Sequence, residues 1–122
     1  MYQYSIKLDR VIDGDTIDAQ IDLGFDVSIK KRIRLVGINS PESRTRDLEE
    51  KARGLAAKSR LKDILEGAET IQLNSQGVGK YGRCLGELCV DRVDGQEKLT
   101  LVNVNKLLIS EGHAVAYFGG KR

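Results

Sequence analysis

Two neighbouring stretches in which apolar and polar residues alternate constrain the fold of this chain more than any other feature. In residues 16–23 the apolar positions are Ile17, Ala19, Ile21 and Leu23. In residues 27–35 they are Val27, Ile29, Ile33 and Leu35, and the opposite parity carries Ser28, Lys30, Arg32 and Arg34. A period of two is that of a strand with one face on a hydrophobic core. We therefore predict two long strands joined by a turn at residues 24–26, the second with a basic row on its other face.

The apolar period changes after Pro41, from two to between three and four. The residues that recur at these longer intervals are Gly54, Ala57, Leu61 and Ile64. This spacing predicts a helix over roughly residues 47–65, with Gly67 as its C-terminal stop. The two small residues in the stripe permit close packing against a neighbouring segment.

Strand character returns in the second half of the chain. Strands are predicted at residues 69–76, 83–91 and 99–104, and Asn105 is expected to cap a short helix that ends at Gly112. This order shows neither the strand–helix alternation of a parallel sheet nor an internal repeat. It favours a small antiparallel barrel of the oligonucleotide-binding (OB) type, a mainly β fold with helices, formed by residues 1–122 as one domain.

Composition excludes a membrane-spanning role and leaves nucleic-acid binding open. The chain is 40% hydrophobic and 31% charged, and no apolar run approaches the roughly 20 residues that a membrane span needs. The 20 basic and 18 acidic residues nearly balance, so net charge alone does not indicate a nucleic-acid binder. Met1 leads directly into a strand-like segment without the regions of a secretory signal. We therefore expect a cytoplasmic protein, or a secreted one if the chain is a trimmed mature form.

The sulfur and imidazole side chains give no support to a disulfide or a zinc site. Cys84 and Cys89 lie in one predicted strand, so their side chains should point to opposite faces, on the order of 16 Å apart. His113 is the single histidine, and no CxxC motif is present. A structural zinc ion is therefore not expected.

Charge is distributed unevenly along the chain. Acidic residues dominate its first part, at Asp9, Asp13, Asp15, Asp18, Asp22 and Asp26. Basic residues crowd the next part, at Lys30, Lys31, Arg32, Arg34, Arg44 and Arg46. An anionic pocket beside cationic side chains suits a metal ion together with a phosphate, whereas two solvated strand faces would give the same pattern.

Two short motifs in the first half carry candidate chemistry. The aspartates of DGDT, residues 13–16, offer hard oxygen ligands to calcium or magnesium, although Asp-Gly is also a common hairpin turn. In RLVGINSPE, residues 34–42, a strand end brings a guanidinium towards oxygen donors and a carboxylate, at Arg34, Asn39, Ser40 and Glu42. A surface salt bridge between Arg34 and Glu42 is the structural alternative.

A third motif, GKYGR, occupies residues 79–83. Its glycines let the backbone approach a ligand closely, while Lys80 and Arg83 offer charge and Tyr81 offers a ring or a hydroxyl. A loop of this composition serves equally well as an exposed hairpin turn.

Taken together, these motifs resemble the staphylococcal nuclease family. The matching segments, in order along the chain, are VIDGDT (11–16), RLVGINSPE (34–42), the helix signature at 54–57, GKYGR (79–83) and VNKLLISEGHA (104–114). Five segments in the right order are far more specific than any one of them. The resemblance implies a five-stranded barrel with helices, and calcium-dependent hydrolysis of phosphodiester bonds in DNA and RNA that leaves a 3′-phosphate. Calcium is the implied cofactor, with magnesium less favoured.

The resemblance implies a metal site with one departure from the family pattern. Asp15 is similar to the principal carboxylate ligand, and Ser40 is similar to the residue that supplies a backbone carbonyl. Asn39 occupies the second acidic ligand position, where the family commonly has aspartate. An amide oxygen still coordinates calcium, but the lower ligand charge should reduce the affinity.

The resemblance also implies catalytic and substrate-binding residues. Glu42 resembles the catalytic glutamate, and Arg34 and Arg83 resemble the two arginines that grip the reacting phosphate. Lys80 and Tyr81 resemble residues that contact a terminal phosphate or the nucleotide.

An alternative function and an expectation about partners accompany this hypothesis. A module that binds nucleic acid without cutting is the alternative, because a fold does not fix a function. The presence of Arg34, Glu42 and Arg83 favours catalysis, and Asn39 favours the binding module. Only four residues follow Phe118, so the family's closing C-terminal helix is expected to be absent, and stability could depend on a dimer or a partner.

Overall fold

The computed structural model, which describes residues 2–78, 82–91 and 101–117, contains a barrel of five strands in that part of the chain. The barrel strands are β1 (Tyr2–Asp13), β2 (Thr16–Gly24), β3 (Val27–Leu35), β5 (Ile71–Val78) and β6 (Cys84–Val90). Three two-residue strands lie outside it: β4 (Ile38–Asn39), β7 (Val102–Asn103) and β8 (Val115–Ala116). The helices are α1 (Leu48–Glu66) and α2 (Val104–Ser110). The predicted mainly β fold with helices is confirmed.

The barrel closes through a parallel strand pair, which the predicted antiparallel barrel did not include. The pairs β3–β2, β2–β1, β1–β5 and β5–β6 are antiparallel. Residues 33–35 of β3 then pair in parallel with residues 84–86 of β6. A closed ring with an odd number of strands cannot alternate direction throughout, so four antiparallel pairs leave the last pair parallel.

The β2–β3 hairpin forms as predicted, but only the C-terminal half of β3 reaches the core. Ile33 and Leu35 are fully buried, whereas Val27 is exposed and Ile29 is 37% exposed. In the described structure β6 pairs with β3 only at residues 33–35, so the N-terminal half of β3 extends beyond the barrel. The expectation that all four residues face the core was wrong for Val27 and Ile29. The turn at residues 24–26 has positive φ at each position, and Phe25 at its tip is 100% exposed.

Helix α1 confirms the predicted helix and its stripe. Asp47 caps its N-terminus, because its carboxylate accepts hydrogen bonds from the backbone N–H groups of Glu49 and Glu50. Gly67 is the C-terminal cap. The buried residues of the helix are Gly54, Ala57, Leu61, Ile64 and Leu65, and they pack the helix against β1.

Helix α2 is capped by Asn103 and not by Asn105 as expected. The Asn103 side chain accepts a hydrogen bond from Lys106 N–H. Asn105 is the second residue of the helix and is 3% exposed. Its side-chain carbonyl accepts from Leu88 N–H at 3.2 Å, and its amide donates to Val36 carbonyl at 2.8 Å. Asn105 therefore ties the helix to β6 and to the segment that follows β3.

Two other sequence expectations have mixed outcomes. Of the strand predicted at residues 99–104, only Val102–Asn103 is a strand, and residues 99 and 100 lie outside the described part. Cys84 and Cys89 are both free thiols, as predicted. No helix in the described ranges combines the length and the apolar character needed to cross a bilayer.

The difference between the two halves of β3 gives a stability test. Ile33→Ala should cost about 2 to 5 kcal/mol of unfolding free energy, because it leaves a cavity in the closed barrel. Ile29→Ala, the same chemical change in the projecting half of the same strand, should cost about 1 kcal/mol or less. Urea denaturation with an unchanged m-value measures both. Equal losses of unfolding free energy would show that Ile29 is packed in the core as fully as Ile33.

Candidate active site

Four parts of the chain meet at one small cavity beside the barrel. The cavity measures about 190 Å³, and its predicted site residues are Asp15 from the β1–β2 turn, Arg34 from β3, Asn39, Ser40 and Glu42 from the segment after β3, and Arg83 ahead of β6. The structure thus brings together six of the eight predicted site residues. Lys80 and Tyr81 lie outside the described residues.

Asp15 is a buried carboxylate that joins the β1–β2 turn to the segment after β3. It is 8% exposed. Oδ1 accepts a hydrogen bond from the Thr16 hydroxyl at 2.9 Å, and Oδ2 accepts one from Ser40 N–H at 3.0 Å. Arg34 Nη2 lies 3.4 Å from Oδ2. A buried charge is costly without such partners, so these contacts fix where the carboxylate points.

Arg34 is held by the main chain around the cavity. Its Nη1 donates to Leu35 carbonyl at 2.6 Å, and its Nη2 donates to Ile38 carbonyl at 2.9 Å. Nη2 also lies 3.5 Å from Asn39 Oδ1. The planar guanidinium is therefore oriented before any ligand arrives, which a lysine ammonium could not reproduce.

The β1–β2 turn has a second link to the segment after β3, through a residue that the sequence analysis missed. Ser43 is buried, and its hydroxyl donates a hydrogen bond to the Asp13 carboxylate. Glu42, its neighbour, is exposed and lines the cavity. Serine directly after the Pro-Glu pair was the available signal, but its partner lies 30 residues away in the chain.

Two residues that line the cavity each have a buried side-chain polar atom with no hydrogen-bond partner in the described structure. These are Ser40 Oγ and Arg83 Nε. Buried polar groups are normally satisfied, so an unpaired one in a cavity indicates a ligand, an ion or water. An oxygen such as Ser40 Oγ suits a cation, and a guanidinium nitrogen such as Arg83 Nε suits an anion.

The donors at this cavity fit a hard divalent cation. They are oxygens from Asp15, Asn39 and Ser40, with Asp13 and Glu42 also on the lining, and oxygen ligands are those that calcium and magnesium prefer. In the described ranges no group of three or more His, Cys, Asp or Glu residues is arranged as a metal cluster. That result is consistent with an amide at position 39, which leaves a mixed set of carboxylate, amide and hydroxyl or carbonyl oxygens.

Small residues on α1 and in the β1–β2 turn allow the segments around the cavity to approach each other. A Cβ atom added at Gly54 would lie 2.3 Å from Glu42 carbonyl oxygen and 2.7 Å from Ser43 nitrogen. One added at Gly14 would lie 2.9 Å from Ser40 Cβ. The helix therefore supports the backbone that carries Glu42, and the predicted close packing of the stripe is confirmed.

Sequence comparison with known protein families gives a match that covers most of the chain. The family described as "Staphylococcal nuclease homologue" matches residues 32–122, which is three quarters of the chain. The chain belongs to the staphylococcal nuclease family. The matched region includes Arg34, Asn39, Glu42 and Arg83, whereas Asp15 precedes it and is joined to it by the contacts described above.

Three curated relatives match most of this chain. The "Micrococcal nuclease" of Shigella flexneri is 36% identical over 110 residues, which cover 88% of this chain and 55% of the relative. "Endonuclease YhcR" of Bacillus subtilis (strain 168) is 30% identical over 123 residues, covering 95% of this chain and 9% of the relative. "Protein ParB" of Escherichia coli is 32% identical over 108 residues, covering 88% and 54%. The chain thus spans about half the length of two relatives and a small part of the third.

The contact between α1 and the Glu42 backbone gives a second test. Gly54→Ala should lower the unfolding free energy by about 1 to 3 kcal/mol, because the clash is with backbone and exceeds the gain in helix propensity. Amide NMR shifts should move most at residues 42 and 43. Ala56→Ser, on the exposed face of the same helix, is the matched control. A Gly54→Ala protein with wild-type stability and unmoved shifts at these residues would contradict the contact.

Proposed function

We propose that this chain is a calcium-dependent nuclease that hydrolyses internal phosphodiester bonds of DNA or RNA. The observation that carries the proposal is the meeting of opposite charges at one cavity: the Asp15 carboxylate with its neighbouring oxygen donors, the oriented Arg34, and Arg83 with an unpaired Nε. Such a site fits a cation and a phosphate side by side. Two relatives that are named as nucleases add support.

The proposed metal ligands are Asp15, Asn39 and Ser40. Calcium bound there would neutralise charge on the phosphate and polarise its oxygens. Asp15 would supply the main negative charge, and its hydrogen bonds from Thr16 and Ser40 keep the carboxylate in place. Asn39 would supply a neutral oxygen. Because the ligand set then carries one negative charge fewer, the site should bind calcium more weakly than a site with two carboxylates.

Arg34 and Arg83 would stabilise the charge that develops on phosphate oxygens in the transition state. Arg34 is oriented by two main-chain carbonyls, and Arg83 Nε is buried beside the same cavity. Donors fixed in advance need no reorganisation during the reaction, which is why they contribute strongly. Loss of one such group typically costs on the order of 100- to 1,000-fold in turnover.

Glu42 would orient the attacking water and accept its proton. The water oxygen would form a bond to phosphorus while the bond from phosphorus to the 5′ oxygen breaks. The 5′ oxygen leaves with a proton from solvent, and the phosphate remains on the 3′ oxygen of the other fragment. An exposed carboxylate on the cavity lining is placed where water has access to it.

A binding module without catalysis is the second candidate, because Asn39 stands at a metal-ligand position. It would hold the nucleic acid through the same arginines but would bind calcium too weakly to cleave the strand. The two functions differ in whether added calcium changes the covalent state of the substrate.

Cleavage of circular single-stranded DNA tests the proposed function. We expect linear and then shorter products with millimolar calcium, fewer or none with magnesium, and none with chelator. Glu42→Gln should lower the rate by about 100- to 10,000-fold, the range of a general base. Glu66→Gln is the matched control, since it makes the same change at an exposed position near the end of α1. Retained DNA binding with no cleavage under any metal would establish the binding module instead.

A further inference from the structure

A second and larger concavity opens directly from the active-site cavity. It measures about 780 Å³. It shares four lining residues with the smaller cavity, namely Asp13, Thr16, Glu42 and Arg83. We call the part beyond these shared residues the basic cleft; its side chains of interest are Lys30, Lys31 and Arg32 from β3 and Arg44 from the segment before α1. Because the two cavities share these lining residues, a molecule in the smaller cavity can extend into the basic cleft.

The charge of the whole concavity favours a polyanion. Its described lining has five basic residues against two acidic ones, Asp13 and Glu42. Both acidic residues belong to the part shared with the active site. The basic cleft itself is therefore lined by positive charge, contributed by two different segments of the chain.

The basic row of β3 leads away from the reacting position. Lys30, Arg32 and Arg34 share one parity on this strand, so their side chains lie on the same face. Successive members of the row are about 7 Å apart along the strand. Arg34 lies at the active-site cavity and Lys30 at the basic cleft. The row thus provides successive cations for successive phosphates of one strand.

Arg32 is fixed in this row by a carboxylate of the neighbouring strand. Its Nε and Nη2 donate to the two oxygens of Asp18 at 2.9 and 3.2 Å, and Arg10 Nε donates to the same carboxylate at 3.1 Å. The hydrogen bond from Arg32 lowers the pKa of Asp18, with Arg10 adding to the effect. Two guanidiniums against one carboxylate leave the group positive, and Arg32 is held in place.

We infer that the basic cleft binds the sugar-phosphate backbone of the nucleic acid beside the cleaved bond, with Lys30 and Arg44 as phosphate contacts. This inference rests on the proposed function and specifies its substrate: a polynucleotide strand that continues several nucleotides past the scissile bond, not a dinucleotide. Contacts of this kind set affinity and not base preference, because phosphates carry no sequence information.

A double variant, Lys30→Ala with Arg44→Ala, tests the inference by substrate length. Neither residue belongs to the proposed catalytic set. The kcat/KM for a 20-nucleotide single strand should fall about tenfold, because two phosphate contacts are lost. The kcat/KM for the dinucleotide TpT should stay within about twofold, because TpT does not reach the cleft. The matched control is Lys62→Ala with Lys106→Ala, which removes the same charge from exposed helix positions outside the cleft.

A binding measurement separates this inference from the proposed function. Fluorescence anisotropy of a labelled 20-nucleotide strand, in chelator, requires no cleavage. The slope of log affinity against log salt concentration should become shallower by about 1.4 in the double variant, since each phosphate contact on a single strand contributes about 0.7. The control variant should keep the wild-type slope.

Three results would overturn the inference. Equal losses on TpT and on the 20-nucleotide strand would place Lys30 and Arg44 at the reacting phosphate. No loss on either substrate, with an unchanged salt slope, would show that the cleft holds no backbone. An equal loss in the control variant would show that only the overall charge of the protein matters.

Discussion

The buried carboxylate of Asp15 is the interaction on which the rest of the site depends. It joins the β1–β2 turn to the segment after β3 through Ser40 N–H, and it lies 3.4 Å from Arg34 Nη2. Because the carboxylate is buried, it needs these partners to offset its lost hydration, and the low local dielectric strengthens each of the contacts. The carboxylate that we propose as a cation ligand thus also positions Ser40 and one of the arginines.

The barrel and the helices supply the rigid frame around this carboxylate. Parallel pairing at residues 33–35 with β6 closes the barrel directly beneath Arg34. Asn105 of α2 holds the Val36 carbonyl, and Gly54 of α1 lets the helix rest on the Glu42 backbone. The segment between β3 and α1 is therefore supported from both helices, although it has little regular structure of its own.

Local patterns predicted the elements, and long-range geometry accounts for what they did not predict. The parity of β3 correctly placed Arg34 opposite Ile33 and Leu35, and the small-residue stripe correctly predicted close packing of α1. Parity could not show that Ile29 lies beyond the barrel, because that depends on where β6 ends its pairing. Asn105 was predicted to cap α2, but its side chain is instead bound to Leu88 N–H and Val36 carbonyl, and Asn103 is the cap. Ser43 was missed because its partner, Asp13, lies 30 residues away in the chain.

Calcium titration by calorimetry tests most directly whether Asp15 and the oxygens beside it form the proposed calcium site, weakened by Asn39. We predict that the wild-type protein binds one calcium ion, that the isosteric Asp15→Asn variant loses this binding, and that Asn39→Asp tightens it on the order of tenfold by adding a ligand charge. Circular dichroism checks that both variants are folded. Absence of calcium binding in the wild type, or equal binding in wild type and Asp15→Asn, would show that these residues do not form a calcium site.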